Sequence, residues 1–301
     1  MSRRGWVGDA MAAANVAGAR ADLWLPGSLC AVGYLAWLPL MVTVAGLPSE
    51  SDLSFAGARL FSSGSFPLNV LLLASLAGLV LLLGCLVAAL GEAVVLRAAG
   101  GVTDRSLAHD TEVAFGVILV AALPALAALV TIGFGVAAVA PAEFGAPDTG
   151  APAMLRVAMR LLPLLLLLIA TVVVGQAFGA ASVRRALSGG ELVSALRGGL
   201  ADVLRNPLRR LGIAAVGTLA DVVAIVFALA LLRILWAPIG AELAGGRLVS
   251  PQALVLLTGF VAIWLALVLF WGALRAWTAT WWSLELAAPI AAPISAPEEE
   301  T

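Results

Sequence analysis

Polar positions in this chain fall in short clusters separated by six long apolar stretches, roughly Leu25–Gly46, Leu68–Leu90, Ala114–Ala138, Leu161–Val183, Leu211–Trp236 and Ala253–Trp277. A helix crosses the hydrocarbon of a bilayer with about 20 apolar residues, and each stretch meets that length. The pattern predicts an all-α fold: a polytopic integral membrane protein with six transmembrane helices and interfacial amphipathic helices. Pro39, Pro124 and Pro163 fall inside or at the edge of spans, where neighbouring helices tolerate them. The chain then divides into an N-terminal cytoplasmic or interfacial segment (1–24), a transmembrane domain (25–286) and a tail (287–301). That tail repeats Ala-Ala-Pro and Ser-Ala-Pro before three glutamates, a composition that suits extended, disordered chain.

Between the fourth and fifth spans the periodicity changes. Leu192, Leu196, Leu200, Val203 and Leu204 recur at helical spacing, with Glu191, Ser194, Asp202, Arg205 and Arg209 on the other side. This predicts an interfacial helix near 190–205, lying in the headgroup plane with its arginines toward anionic lipid. Asn206–Pro207 breaks it before the fifth span. Trp6–Asp22 is a weaker version of the same device. Ala21-Asp22-Leu23-Trp24 before Pro26 echoes Ala201-Asp202-Val203-Leu204 before Pro207, and Gly91-Glu92-Ala93 echoes Gly175-Gln176-Ala177. These echoes read either as three successive units, each a lead-in and a helical hairpin, or as coincidence in an alanine-rich sequence. The last span continues through Trp277, Trp281 and Trp282, and is expected to project past the lipid with its tryptophans as an interfacial belt.

Composition adds the physical class. Hydrophobic residues make up 62% of 301 positions and the mean hydropathy is +1.07, more apolar surface than a soluble domain can bury. All 17 basic residues are arginine, which with the abundant Ala, Gly, Leu and Val suggests a high-GC bacterial genome. Arginine bias sets the orientation. The N-terminus, the 97–112 and 184–210 loops and the tail side carry most arginines, while the opposite loops hold Arg59, Arg156, Arg160 and Arg247. The positive-inside rule places both termini in the cytoplasm, in a bacterial inner membrane. Arg3 and Arg4 resemble a signal peptide's charged start, but no cleavage site follows the apolar run, so an uncleaved first span is expected. A net charge of −1 argues against nucleic acid as a partner.

Ionisable groups inside spans are the first functional candidates. Glu92, Gln176, Asp221 and Arg275 stand out. Counting 1.5 Å per residue from the outer end of each span puts Gln176 and Asp221 about 24 Å in, and Glu92 and Arg275 about 36 Å in. The expectation is two polar layers, with Arg275 better matched to Glu92 than to Asp221. Asp221 with Gln176 is either a proton or cation site, or a structural hydrogen bond between helices. Arg275 and Arg233 are expected to snorkel. Arg197, Arg205, Arg209 and Arg210 are the lipid-facing basic candidates. Gly175-x-x-x-Gly179 and Ala74-x-x-x-Gly78 permit close helix approach.

Enzyme chemistry has little to draw on. A single histidine, His109, sits in a loop beside Asp110 and Glu112, and Cys30 and Cys85 fall in apolar stretches as buried small hydrophobes. Zinc ligation wants three or four ligands; a membrane serine hydrolase wants a base beside its serine; no phosphate-binding glycine motif is present. No cofactor and no enzymatic activity are expected, lipid head-group chemistry at the cytoplasmic face being the residual possibility.

Two motifs, Ala195-Leu196-Arg197 through Asn206-Pro207-Leu208-Arg209-Arg210 leading into a span and Gly91-Glu92-Ala93 closing another, carry a resemblance. The chain resembles a diffuse set of bacterial polytopic proteins, similar to the membrane domain that precedes the catalytic barrel in some glycerophosphodiester phosphodiesterases. The resemblance implies architecture only, since the catalytic domain is absent and no active residue has a matching position. Two functions are carried forward: a non-enzymatic accessory or scaffold subunit contacting another membrane protein or anionic lipid, and a small-solute or proton-coupled transporter using Asp221 and Gln176.

Overall fold

The computed structural model describes residues 5–46, 62–98, 105–144, 153–245 and 250–287, with positions 49, 51, 52, 55 and 59. Of the tail, Ala287 alone is described, as the last residue of the final helix, and 288–301 lie outside the described residues. The elements are α1 (Trp6–Ala19), α2 (Trp24–Gly33), α3 (Leu38–Ala45), α4 (Leu68–Ala98), α5 (Leu107–Phe144), α6 (Ala153–Arg160), α7 (Leu162–Leu187), α8 (Leu192–Arg205), α9 (Pro207–Ala244) and α10 (Pro251–Ala287). Five of these, α4, α5, α7, α9 and α10, are long and apolar enough to cross a membrane. The all-α, polytopic architecture is as the hydrophobic pattern predicts.

The first span differs from its expected single helix. It is a bent pair, α2 and α3, turned by 55°. Leu35 at φ +81 closes α2 in a left-handed cap, with Ala36 N–H donating to Ala31 O at 2.9 Å and Leu35 N–H to Val32 O at 3.3 Å. This Schellman pattern normally uses glycine, because a Cβ crowds the following carbonyl. The end of α7 shows the usual form, with Gly189 at φ +105 and Gly190 N–H on Arg185 O. Pro39 then sits in the first turn of α3, where its missing N–H costs nothing.

The bend separates neighbours. α2 packs between α4 and α10, whereas α3 packs on α9. Close approach to α10 rests on Gly27 and Gly272, where a Cβ on either would overlap the other helix's backbone; Gly91 similarly faces Cys30 N at 2.6 Å. Gly175 and Gly179 behave as expected, seated on Ala121 of α5, with a Cβ on Gly175 reaching the Ala121 carbonyl oxygen at 2.6 Å. Gly78 meets nothing, so the second small-residue motif makes no helix contact. No residue of 68–83, the half of α4 beyond the bend, is buried, while α9 and α10 are packed along their length through Ala224, Leu232, Ile239, Phe260 and Val268.

At the arginine-rich end, α1 packs on α10 and α8 on α7. Trp281 and Trp282 are buried there, in one cluster with Ala13 of α1, Val203 of α8 and Ile213 of α9. This corrects the expected interfacial belt. α1 covers the end of α10, with Trp277 Nε1 donating to Ala10 O at 3.0 Å and Trp6 lying 5.2 Å from Trp281. The tryptophans serve as core because a second helix shields them from the lipid boundary.

Candidate functional site

Four helices close around a small polar cavity of about 30 Å³, lined by Glu92 (α4), Gln176 and Arg184 (α7), Ile213, Ala214 and Gly217 (α9), and Arg275, Thr278 and Trp282 (α10). That volume suits one water molecule. Three of the four predicted intramembrane candidates line it directly, and the fourth, Asp221, touches it through Arg275.

Arg275 Nη2 lies 2.7 Å from Asp221 Oδ2, and Trp271 Nε1, one turn earlier on α10, donates to Asp221 Oδ1 at 2.7 Å. This overturns the two-layer expectation. Helical side chains point toward the N-terminus of their own helix. α9 and α10 run in opposite directions, so Asp221 leans toward the arginine-rich end while Arg275 reaches back toward the distal end. An arginine is long enough to absorb most of a 12 Å backbone offset of the order estimated from rise per residue. Arg275 therefore does not snorkel; it is buried, and its guanidinium also sits 4.1 Å above the Tyr34 ring. Tyr34 occupies that place because the α2–α3 break falls there.

Glu92 makes no contact ion pair with Arg275, contrary to expectation. Its Oε2 is buried and has no hydrogen-bond partner. Of the two guanidiniums that line the cavity, Arg275 pairs with Asp221 through Nη2 and keeps a buried Nε with no hydrogen-bond partner, while Arg184 is occupied elsewhere. Arg184 donates to Ala180 O at 2.8 Å, Ala279 O at 2.6 Å and Ser283 Oγ at 3.2 Å. Gln176 shares the cavity with Glu92 rather than bonding to Asp221. A buried carboxyl oxygen without a donor is costly, and one water bridging Glu92 to a neighbour would relieve it.

Arg184 lies outside the predicted candidates, because the apolar run ends at Val183 and places it with the following loop. The signal was available: Gln176, Ala180 and Arg184 follow one another at spacing four on α7. Tyr34 carries no signal, because the left-handed residue at the helix break that positions it is Leu35, where a glycine would mark such a cap.

The basic candidates divide. Arg197 and Arg205 are exposed on α8. Arg209 and Arg210 instead point inward. Arg209 Nη2 lies 2.6 Å from Asp9 and 2.5 Å from Glu285, and Arg210 is 3% exposed beside Glu285 at 3.5 Å. They face inward because α1 brings Asp9 over the start of α9, and burial favours pairing with carboxylates over lipid. Asp202 likewise faces the bundle, accepting from Arg185 Nε at 2.8 Å and Nη2 at 3.0 Å. α8 thus packs on the bundle through Ala195, Gly199, Asp202 and Val203, with Leu196 partly buried beside them, while Leu200 and Leu204 stay exposed.

At the distal end, Glu143 pairs with Arg156 at 3.1 Å and Arg160 at 2.5 Å, pinning the short α6 to α5. His109 is exposed at the start of α5, 3.9 Å from Glu112. Cys30 and Cys85 are free thiols, and no group of metal-binding side chains occurs among the described residues. Comparison with protein-family models, curated proteins and solved structures finds no match to this chain.

Proposed function

We propose that this chain is a proton-handling transport protein of a bacterial cytoplasmic membrane, with the arginine-rich end and both termini in the cytoplasm. One observation carries the reading. Glu92 has a buried carboxyl oxygen with no hydrogen-bond donor, in a water-sized cavity lined also by Arg184, whose N–H groups are spent on α7 and α10, and by Arg275, whose Nε has no partner. A carboxyl placed this way exchanges a proton with a trapped water without breaking a helix contact, whereas Asp221 is committed to Arg275 and Trp271. Glu92, and not Asp221, is therefore the proton site; Gln176 and Thr278 orient the water.

The test is proton flux into liposomes carrying the purified protein, driven by a potassium diffusion potential and read with an entrapped pH dye. Wild type should pass protons and Glu92→Gln should not. Wild-type vesicles no leakier than protein-free vesicles, or a Glu92→Gln protein that matches wild type, would sink the proposal.

A second reading, a non-enzymatic accessory subunit of a membrane complex, draws on the uncovered apolar half of α4 (68–83). Native mass spectrometry from the protein's own membrane would favour it if another membrane protein co-purified at fixed stoichiometry. A chain that leaves the membrane alone would count against it.

A further inference from the structure

α8 carries three distinct faces. Ala195, Gly199, Asp202 and Val203 meet the bundle. Val193, Leu200 and Leu204 form an exposed apolar stripe, 59%, 50% and 67% open, which Leu208 continues at 90% across the Asn206 break. Arg197 borders the stripe, one position along the helical wheel from Leu204, and is exposed with no ion-pair partner among the described residues. Arg205 is on the watery side, 3.7 Å from an Asp202 already held by Arg185. Glu191, the nearest carboxylate on this element apart from Asp202, stands on the opposite side of the helix from the stripe.

From this arrangement we infer that α8 is an anionic-lipid contact, its leucines seated among acyl chains of the leaflet at the arginine-rich end and Arg197 on a phosphate-bearing head group. Depth decides the occupant. Leu208 begins α9 only a few residues before the predicted span at Leu211, a rise of about 5 Å, so its exposed side chain stands at the boundary of the hydrocarbon. Leu204 precedes Leu208 by four residues, across the Asn206 break. On this reading the stripe runs on into the apolar surface of the spans, and the cation at its edge meets the head groups. The bundle does not need these leucines for packing, because the small residues on the neighbouring face and the Arg185–Asp202 bond already fix α8 to α7. An apolar stripe with a bordering cation is how a helix lies in a charged membrane surface.

Two measurements on the full chain test this. In nanodiscs of equal phosphatidylcholine and phosphatidylglycerol, native mass spectrometry should find phosphatidylglycerol enriched on the wild-type protein. Arg197→Gln should cut the enrichment about fivefold, the effect of one arginine near an anionic surface. Spin labels at Leu204→Cys and Leu208→Cys, in a Cys30→Ala, Cys85→Ala background, should collide more with oxygen than with a water-soluble nickel complex, and a label at Ala201→Cys should do the reverse. The inference fails if phosphatidylglycerol shows no enrichment, or if Arg197→Gln leaves it unchanged. It fails equally if the leucine-site labels meet nickel freely, or are shielded from both reagents by a second protein.

Discussion

Arg275 and Asp221 are joined at 2.7 Å between antiparallel helices, and the same aspartate takes the indole N–H of Trp271 at 2.7 Å. The pair is a structural clasp between α9 and α10. Breaking one side leaves a buried charge uncompensated, so Asp221→Asn should destabilise the protein by about 3–5 kcal/mol. Asp221→Leu with Arg275→Met, which removes both charges, should recover most of that loss. Thermal unfolding in detergent, compared across the three proteins, measures it; an Asp221→Asn protein as stable as wild type would contradict the clasp.

The helix crossings make a sharper prediction at two glycines. Gly272→Ala puts a methyl into the Trp24 carbonyl oxygen and near Ser28 N at 2.6 Å, so α2 and α10 must separate. Overpacking of this kind costs about 1–3 kcal/mol or more. Gly78→Ala meets nothing and should gain up to about 1 kcal/mol from helix propensity alone. Opposite shifts in melting temperature are expected.

Leu35 occupies a left-handed position, φ +81, that costs a side chain roughly 1–2 kcal/mol. Leu35→Gly should therefore stabilise the fold by about 1 kcal/mol while keeping Tyr34 over Arg275. A drop in stability would mean that the leucine side chain contributes packing that outweighs its backbone strain.

Much of this was legible in the sequence, and the failures share a cause. Apolar run length reports each helix on its own, and the five long helices lie where the runs predicted. Contacts between helices depend on side-chain reach and on what lies across the bundle end. Rise per residue placed Asp221 and Arg275 on different levels because it tracks Cα atoms, whereas the guanidinium acts well away from its own. Periodicity finds α8 and its leucine stripe but not the face that packs: Ala195 and Gly199, which weigh little in an apolar pattern, are where the helices touch. Trp281 and Trp282 were read as a belt because nothing local announces that α1 folds back over them.

At the distal end, hydrogen bonding from Arg156, followed by the bond from Arg160, holds the Glu143 carboxyl below its ordinary value near 4.5. Glu143 lies past the predicted span end at Ala138. A lowered folded-state pKa contributes stability that is complete above the ordinary value and is lost as the pH falls through the folded one. The wild-type protein should therefore lose melting temperature on acidification below about pH 4.5 more steeply than Glu143→Gln, which lacks the titrating group. Parallel pH profiles for the two proteins would contradict the assignment.

Arg209 bridges Asp9 and Glu285, so one side chain fastens α1 to the ends of α9 and α10. Arg209→Gln should release α1: amide exchange across Trp6–Ala19 should accelerate at least tenfold, about 1.4 kcal/mol of opening free energy, with exchange in the centre of α9 unchanged. Equal protection of α1 in both proteins would show that the tryptophan contacts alone hold it.

The bend at Tyr34–Trp37 moves α3 from α4 to α9, and toward the distal end α4 is left with no buried residue across 68–83. That open half and the half carrying Glu92 are one unbroken helix, Leu68–Ala98, so the open half is a lever arm: a tilt applied there displaces the carboxyl at the polar cavity.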